Sequence, residues 1–116
     1  LFDGKLPDLN IGTNNGATCA KAIEEAAAEV CAASDFSFVV NGRFRGGWTT
    51  RHYGDPGTGV HAIQMEISQS AYLETEDAPF AYSKAKAEKL RATLKDILER
   101  IECFALSGEL NGADDD

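Results

Sequence analysis

Residues 60–67 read VHAIQMEI, and the alternation of side chains in this stretch predicts a β-strand with two unlike faces. In an extended strand, successive side chains point to opposite sides of the sheet. One face then carries the large apolar side chains together with a histidine: His61, Ile63, Met65 and Ile67. The other face carries Val60, Ala62, Gln64 and Glu66. A strand that is buried on both faces does not normally hold a glutamine and a glutamate together, so we expect this second face to meet a cavity or solvent.

Other segments provide elements that can pack around this strand. Residues 36–41, FSFVVN, have the aromatic and β-branched content of a strand, and a further short strand is expected near Leu9–Ile11 in the otherwise loop-like segment 1–17. Thr18 is placed to cap a helix through residues 19–34. A long helix is predicted from Ser83 to Leu106. Its buried stripe recurs at helical spacing and comprises Leu90, Leu94, Ile97, Leu98 and Ile101.

The order helix, strand, loop, strand, helix predicts an α/β fold. The two clearly predicted strands, 36–41 and 60–67, are too few for a self-sufficient sheet. We therefore expect further strands from upstream residues or from another chain, and we interpret the sequence as a piece of a larger domain. Residues 1–106 are assigned to that domain, and residues 107–116 are predicted to be a flexible acidic tail.

Composition excludes several classes of protein. The 116 residues carry a formal net charge of -8, which argues against a protein that coats nucleic acid or an anionic membrane. No apolar run approaches the roughly 18–20 residues that span a bilayer. The three cysteines are odd in number and form no C-x-x-C pair, so we expect reduced thiols rather than a disulfide framework or a thiolate zinc site. A reducing, cytoplasmic location fits this pattern best.

The segment 42–59, GRFRGGWTTRHYGDPGTG, concentrates three arginines and six glycines around a single acid. Glycine lets a backbone approach a ligand closely, and arginine grips a carboxylate or phosphate through two bonds. Arg51 is the favoured ligand contact, whereas for Arg43 and Arg45 an ordinary place on the exposed surface is the favoured interpretation and a ligand contact is the alternative. The segment has no phosphate-loop motif, and its glycines are not expected to open a helix. A small molecule that bears carboxylates is the better partner.

Glu66 is the candidate general base, because a carboxylate on a central strand near positive charge can take a proton from water. A structural pairing of Glu66 with Arg51 or Arg45 is the alternative. His52 is a candidate acid, base or ligand, or else a hydrogen-bonded structural residue. Trp48 and Tyr53 either wall a pocket or pack the loop. Strand parity turns His61 away from Glu66, towards core or edge packing.

These motifs resemble the C-terminal half of the N-formylglutamate amidohydrolases. Residues 41–74 match the family order N-G-x-F-x-G-G, R-H-Y-G-x-P and G-V-H-A-x-Q-x-E, followed by a tyrosine, and residues 1–19 resemble its middle segment. The resemblance implies a part of a three-layer α/β/α domain with a mixed sheet, similar in fold to the zinc carboxypeptidases. It also implies hydrolysis of N-formyl-L-glutamate to L-glutamate and formate in histidine breakdown.

The resemblance further implies roles for particular residues. Glu66 occupies the place of the general base that acts on zinc-bound water. The residues expected to bind the dicarboxylate substrate are Asn41, Arg45, Arg51, His52, Tyr53 and Gln64. The zinc ligands are expected upstream of Leu1, in the N-terminal half of the same domain, so no ligand is assigned to this chain. The alternative is a non-catalytic α/β domain that binds anions or another protein.

Overall fold

The computed structural model describes residues 6–75, 79 and 81–107. Within these residues the elements follow in the order β1 (Leu9–Gly12), α1 (Lys21–Ala33), β2 (Phe38–Val40), α2 (Trp48–Tyr53), β3 (Gln64–Ile67) and α3 (Lys84–Ser107). Short 3₁₀ turns at Pro56–Thr58 and Gln69–Ala71 precede and follow β3. The mixed α/β class predicted from the sequence is confirmed. The flexible tail was predicted from residue 107, but Ser107 is the last residue of α3, and the rest of the predicted tail lies outside the described residues.

The sheet is built around the strand that the sequence marked least clearly. β1 lies in the middle, with β2 parallel on one side and β3 antiparallel on the other. The two clearly predicted strands therefore do not pair with each other, because each pairs with β1. Asn10 lies at the centre of this register, opposite Val39 on β2 and Glu66 on β3. A third strand thus comes from within the chain.

One face of the sheet forms the hydrophobic core. Leu9 and Ile11 of β1 are fully buried there, beneath α1 and α3, whose core residues include Ala27, Val30, Cys31, Leu90 and Ile97. Ile63, Met65 and Ile67 pack against the same cluster, so the predicted parity of this segment is confirmed. The stripe predicted for α3 is confirmed except at Leu98, which is 67% exposed. The expectation of a buried Leu98 was wrong because its neighbour Ile97 already fills the buried position.

Residues 60–63 were predicted as strand, but β3 begins only at Gln64. The preceding residues pair elsewhere, since Val60 bridges Asp55 and Ala62 exchanges two hydrogen bonds with Thr18. In this pair the Ala62 N–H donates to the Thr18 carbonyl, and the Thr18 hydroxyl donates to the Ala62 carbonyl, both at 2.8 Å. Thr18 is therefore not the helix cap that the sequence predicted. The N-cap of α1 is Ala20.

The glycine-rich segment contains the short helix α2, which corrects the expectation that its glycines open no helix. Gly47 is the N-cap of α2, and Gly54 follows its last residue. Gly54 has no room for a side chain, because an added Cβ would lie 2.5 Å from Cβ of Thr18. The helix is six residues long, too short to show a hydrophobic period in the sequence.

Candidate active site

Glu66 lies on the face of the sheet opposite the core, as its position in the alternation predicts. Its side chain is exposed, while Met65 and Ile67 on either side of it face the helices. The side-chain amide of Gln64 donates from Nε2 to Oε1 of Glu66 at 3.2 Å. Glu66 forms no ion pair with Arg45 or Arg51 in the part of the chain that the structure describes. The geometry therefore does not support the alternative of a structural ion pair at this carboxylate.

Gln64 also connects β3 to α2. Its Oε1 accepts hydrogen bonds from the backbone N–H of Gly47 at 2.6 Å and from Oγ1 of Thr50 at 3.2 Å. Thr50 is the buried residue of α2. One glutamine side chain thus contacts both the start of the helix and the candidate base, so the positions of α2 and Glu66 are linked.

The backbone before α2 crosses directly over the end of β1. A Cβ added to Gly12 would lie 2.8 Å from the carbonyl carbon of Arg45 and 2.8 Å from the nitrogen of Gly46, closer than side-chain carbons normally approach other atoms. The Arg45 carbonyl accepts a hydrogen bond from the Asn14 N–H at 2.6 Å. Gly46 has φ of +124°, a conformation that favours glycine. Two glycines therefore allow this segment to lie against the sheet, and the Arg45 side chain is exposed above it.

The aromatic residues of α2 stack on one another at the surface. The rings of Trp48 and His52 are parallel with centroids 4.2 Å apart, and Tyr53 meets His52 edge-on at 4.7 Å. Trp48 and Tyr53 remain 62% and 58% exposed. On the same helix, the exposed Arg51 donates from Nε to the Gly47 carbonyl at 3.4 Å. The structure therefore gathers Arg51, His52 and Tyr53 on one short helix that is tied to Glu66 through Gln64.

The side chain of Asn41 is engaged inside the fold. It follows β2 with φ of 53°, in the left-handed region that asparagine enters more readily than most residues. Its Oδ1 accepts from the Thr13 N–H at 2.9 Å, while Nδ2 donates to Oγ1 of Thr13 at 2.9 Å and to Oε1 of Glu24 at 3.3 Å. These bonds hold the entry to the glycine-rich segment in place. The substrate contact predicted for Asn41 stays a prediction.

His61 has a structural role within the described residues. Its Nδ1 accepts a hydrogen bond from the backbone N–H of Ala20, the N-cap of α1, at 2.9 Å. Helix starts leave backbone N–H groups without partners inside the helix, and His61 provides one of them with an acceptor. The expectation that His61 packs away from Glu66 agrees with this position.

A cavity of about 360 Å³ lies beside Glu66. It is lined by Leu6, Asn10, Phe44, Glu66, Ile67, Ser68, Gln69 and Ser70. Asn10, which the sequence did not single out, is 1% exposed and donates from Nδ2 to the carbonyls of Pro7 and Glu66. Its Oδ1 has no hydrogen-bond partner among the described residues. The available signal was a lone asparagine inside the apolar stretch 9–11, and a buried amide there needs polar partners.

A larger groove of about 620 Å³ lies between α1 and α3, away from these residues. Two ion pairs cross it: Arg100 of α3 pairs with Glu29 of α1, and Lys89 of α3 pairs with Asp35, which follows the end of α1. Because both cationic side chains of this groove, Lys89 and Arg100, already pair with acids, we place the candidate site at Glu66 and not here.

Across residues 6–75, 79 and 81–107, no three histidine, cysteine, aspartate or glutamate side chains are grouped so that they could hold a metal ion. The described residues therefore do not fit a zinc site of their own. None of the described helices has the length and apolarity needed to cross a membrane.

The fold and the site define a mixed α/β chain that presents a carboxylate and a cationic, glycine-rich segment on the open side of a sheet. The family described as N-formylglutamate amidohydrolase matches residues 1–73 of this sequence. The chain belongs to the N-formylglutamate amidohydrolase family, and the resemblance noted in the sequence is confirmed.

Curated relatives support the same assignment. The N-formylglutamate deformylase of Pseudomonas aeruginosa is 51% identical over 102 residues, which cover 87% of this chain and 38% of the relative. The deformylase of Pseudomonas putida is 50% identical with the same coverage. The chain thus spans about 38% of the length of these relatives.

A solved structure shares the fold. The crystal structure of N-formylglutamate amidohydrolase from Ralstonia eutropha JMP134 superposes with a TM-score of 0.74 at 19% sequence identity. The match covers 88% of this chain and 36% of that one. At this identity the likeness establishes the fold of the matched region.

Proposed function

We propose that this chain is the C-terminal part of a hydrolase that converts N-formyl-L-glutamate to L-glutamate and formate, with Glu66 as the general base. The observation that carries the proposal is the placement of Glu66 on the open sheet face, where Gln64 joins it to the helix that bears Arg51. The names of the Pseudomonas relatives supply the substrate. We place the reaction in histidine breakdown and in the cytoplasm.

The substrate carries two carboxylates and one formyl amide, and the chain offers a different group for each part. Exposed guanidinium groups on Arg45 and Arg51 suit the carboxylates, because arginine binds them through two parallel hydrogen bonds. His52 and Tyr53, next to Arg51 on α2, are proposed to line the same subsite. We assign Glu66 to the formyl amide, because the negative charge of its carboxylate would repel the carboxylates of the substrate.

The chemical step needs a base that first accepts a proton and then gives it up. Glu66 takes a proton from the attacking water as its oxygen bonds to the formyl carbon. It then returns the proton to the nitrogen as the C–N bond breaks, which releases formate and the amino group of glutamate. The exposed carboxylate can exchange protons with water, and the neutral amide of Gln64 holds it without competing for the proton.

Zinc and the three-layer fold remain proposals for the complete enzyme. The family resemblance implies a zinc ion that would polarise the formyl carbonyl and activate water, but the described residues offer no group of ligands for it. We propose that its ligands lie outside these 116 residues. The carboxypeptidase-like α/β/α architecture likewise needs a further layer of helices that the described residues do not supply.

Replacement of Glu66 in the complete enzyme tests the proposal. Glu66→Gln keeps the size of the side chain and an acceptor for Gln64 but removes the basic group, so we expect kcat to fall by at least about 10²-fold. Glu74→Gln, which removes an exposed carboxylate after the Gln69–Ala71 turn, is the matched control and should leave kcat unchanged. Binding of N-formyl-L-glutamate to Glu66→Gln, measured by calorimetry, should persist. Near-normal turnover by the folded variant would refute Glu66 as the base.

A wild-type enzyme that binds the substrate and never hydrolyses it would favour the non-catalytic, anion-binding alternative. In that case Arg51 and Arg45 would still matter for binding, whereas Glu66→Gln would have no effect on it. Measurement of formate release together with binding therefore separates the two functions.

A further inference from the structure

Gln64 was predicted to touch the substrate, but its polar atoms are already engaged within the fold. Oε1 accepts from the Gly47 N–H at 2.6 Å and from Oγ1 of Thr50 at 3.2 Å, and Nε2 donates to Oε1 of Glu66 at 3.2 Å. A glutamine amide offers one oxygen acceptor and one NH₂ donor group. Both groups of Gln64 therefore have partners, and the side chain is only partly exposed.

The orientation of this amide follows from chemistry. The backbone N–H of Gly47 can only donate, so the atom of Gln64 that faces it must be the oxygen. The NH₂ group is then turned towards Glu66, whose carboxylate can only accept when it is ionised. A flipped amide would place NH₂ against an N–H and oxygen against a carboxylate, and both contacts would be repulsive.

The hydrogen bond from Gln64 fixes the orientation of the Glu66 carboxylate. Its side chain is exposed, and Gln64 is the hydrogen-bond partner that the structure gives its carboxylate within the described residues. One carboxylate oxygen, Oε1, is held by the amide, which leaves Oε2 for a water molecule. Because the partner is a neutral amide, Glu66 is held by a hydrogen bond and not by an ion pair.

The orientation of the Gln64 amide in turn depends on the position of α2, because Gly47 and Thr50 donate to its Oε1. Gly47 is its N-cap, Thr50 is its buried residue, and Arg51 follows directly. A movement of α2 away from the sheet would release Oε1 of Gln64 and free the amide to rotate away from Glu66. The group that binds substrate carboxylates and the group that takes the proton are thus joined by one side chain.

We propose that Gln64 is a positioning residue that orients Glu66 for proton transfer and makes that orientation depend on α2 being in place. This inference deepens the proposed function and rests on Glu66 being the base. It replaces the substrate contact predicted for Gln64 by an action through Glu66. It also explains why an exposed carboxylate, which a surface position would leave mobile, can serve as a directed base.

Two replacements of Gln64 distinguish its hydrogen bonds to α2 from its hydrogen bond to Glu66. Both are to be made in the complete enzyme. Gln64→Met keeps the length of the side chain and loses every hydrogen bond. Gln64→Glu keeps an oxygen for Gly47 and Thr50 but turns a second carboxylate towards Glu66. We expect kcat for N-formyl-L-glutamate to fall about tenfold or more in both variants, which is a part of the roughly 10²–10⁴-fold that a positioned acid–base group supplies, because Glu66 itself is still present. In Gln64→Glu the fall in kcat should exceed any rise in KM, because α2 keeps its acceptor and only the added charge, which repels the substrate carboxylates, acts on binding.

The pH dependence distinguishes positioning from a merely structural role. In Gln64→Glu, two adjacent carboxylates resist being charged together, so the acidic limb of the kcat–pH profile should move to higher pH. In Gln64→Met this limb should move less and in the same direction, because a hydrogen bond to the ionised carboxylate is lost but no charge is added. A rise in KM with kcat and the pH profile unchanged would mean that Gln64 touches the substrate, and it would overturn the proposal.

A milder variant covers the case in which either replacement unfolds the protein. Thr50→Val removes a single hydrogen bond to Oε1 of Gln64 and preserves the shape of the buried side chain. We expect a smaller loss of kcat than for Gln64→Met, with the same direction. A Thr50→Val enzyme with wild-type kcat, together with wild-type kcat in whichever Gln64 variant folds, would also refute the coupling.

A measurement without catalysis separates this inference from the proposed function. NMR spectra of the ¹⁵N-labelled wild type and variants are compared at the side-chain NH₂ signals of Gln64. Relative to wild type, these signals should shift in the Glu66→Ala variant and stay in place in the Glu74→Ala variant. If this shift occurs and the enzyme does not hydrolyse N-formyl-L-glutamate, the proposed function fails and the geometry stands. If hydrolysis occurs and the signals do not move, the positioning role fails alone.

Discussion

Nδ1 of His61 accepts a hydrogen bond from the backbone N–H of Ala20 at 2.9 Å, although 41 residues separate them in the chain. The bond attaches the segment before β3 to the start of α1, on the same connection where Ala62 pairs with Thr18. Because Nδ1 is the acceptor, the neutral ring carries its proton on Nε2. A histidine in a chemically suggestive motif thus fixes the path of the chain towards Glu66.

Replacement of this histidine should affect stability. His61→Phe fills similar space and leaves the Ala20 N–H without its acceptor, so we expect a loss of about 1 kcal/mol, the usual worth of such a hydrogen bond. His52→Phe is the matched control, because His52 is exposed and stacked on Trp48, and it should change the free energy of unfolding by less than about 0.5 kcal/mol. Urea denaturation followed by circular dichroism measures both. Equal losses would show that the bond to Ala20 contributes nothing.

Gly12 is expected to tolerate no side chain at all. A Cβ added at Gly12 would lie 2.8 Å from backbone atoms of Arg45 and Gly46. Backbone atoms cannot relieve such a clash by rotating, as a flexible side chain can. We expect Gly12→Ala to lower the free energy of unfolding by about 1–3 kcal/mol, the usual cost of overpacking, and to displace the segment that leads to α2.

Gly57→Ala is the control for Gly12→Ala. The nearest atom to its added Cβ is Oδ1 of Asp55 at 3.6 Å, which is ordinary contact. There the substitution should be neutral or stabilise by about 0.4–1 kcal/mol, because alanine restricts the unfolded chain more than glycine does. Thermal melts of both variants check the pair. A Gly12→Ala protein as stable as Gly57→Ala would mean that the crossing over β1 is looser than the structure shows.

The thiols should react in a strict order. Cys103 is exposed, whereas Cys19 and Cys31 are buried, and burial followed by the neighbouring charge of Glu24 raises the pKa of the Cys19 thiol to about 11. Burial also raises the pKa of Cys31. At pH 8 we therefore expect a disulfide reagent to modify Cys103 rapidly and the other two only after denaturant is added, since the thiolate is the reactive form.

The same shift predicts an alkaline limit to stability. A thiol whose pKa is higher in the folded state favours folding below its ordinary pKa of 9.0, and this contribution is lost as pH rises towards about 11. Cys19→Ala should therefore flatten the fall in thermal stability between pH 9 and 11, whereas Cys103→Ala should leave it unchanged. An identical fall in the two variants would contradict the assignment to Cys19.

The sequence predicted the features that depend on local periodicity. The alternation in residues 60–67 placed Ile63, Met65 and Ile67 in the core and Glu66 opposite them, because period two is visible in a few residues. The apolar spacing of α3 predicted Ser83–Leu106, one residue from the observed Lys84–Ser107. The family resemblance added what periodicity could not, namely the enzyme family and the substrate to be tested.

The features that the sequence missed depend on contacts between distant residues. β1 is the centre of the sheet, yet a four-residue strand among glycines and asparagines gives little local signal. Threonine before an apolar helical pattern is a typical N-cap, so Thr18 was predicted to cap α1. Its hydroxyl instead donates to the Ala62 carbonyl, and the N-cap of the helix is Ala20. The bond from Gly47 to Gln64 spans 17 residues and involves a helix too short to be recognised. Such pairings become visible only when the chain has been folded.

Arg51 is expected to determine substrate affinity. It is exposed on α2, and its Nε–H is directed to the Gly47 carbonyl at the start of the same helix. This internal bond restrains the planar guanidinium, which suits two-pronged recognition of a carboxylate. Lysine keeps the charge and loses both the fork and the bond to Gly47, so Arg51→Lys should weaken substrate binding more than the chemical step.

We expect Arg51→Lys in the complete enzyme to lower kcat/KM for N-formyl-L-glutamate by about ten- to a hundredfold, which corresponds to roughly 1.5–3 kcal/mol for a charged hydrogen bond. Most of the change should be in KM, measured by formate release over a range of substrate concentrations. Arg91→Lys, on α3 beside Tyr82, is the matched control and should leave both constants unchanged. An Arg51→Lys enzyme with wild-type KM would remove Arg51 from the carboxylate subsite and make Arg45 the next residue to replace.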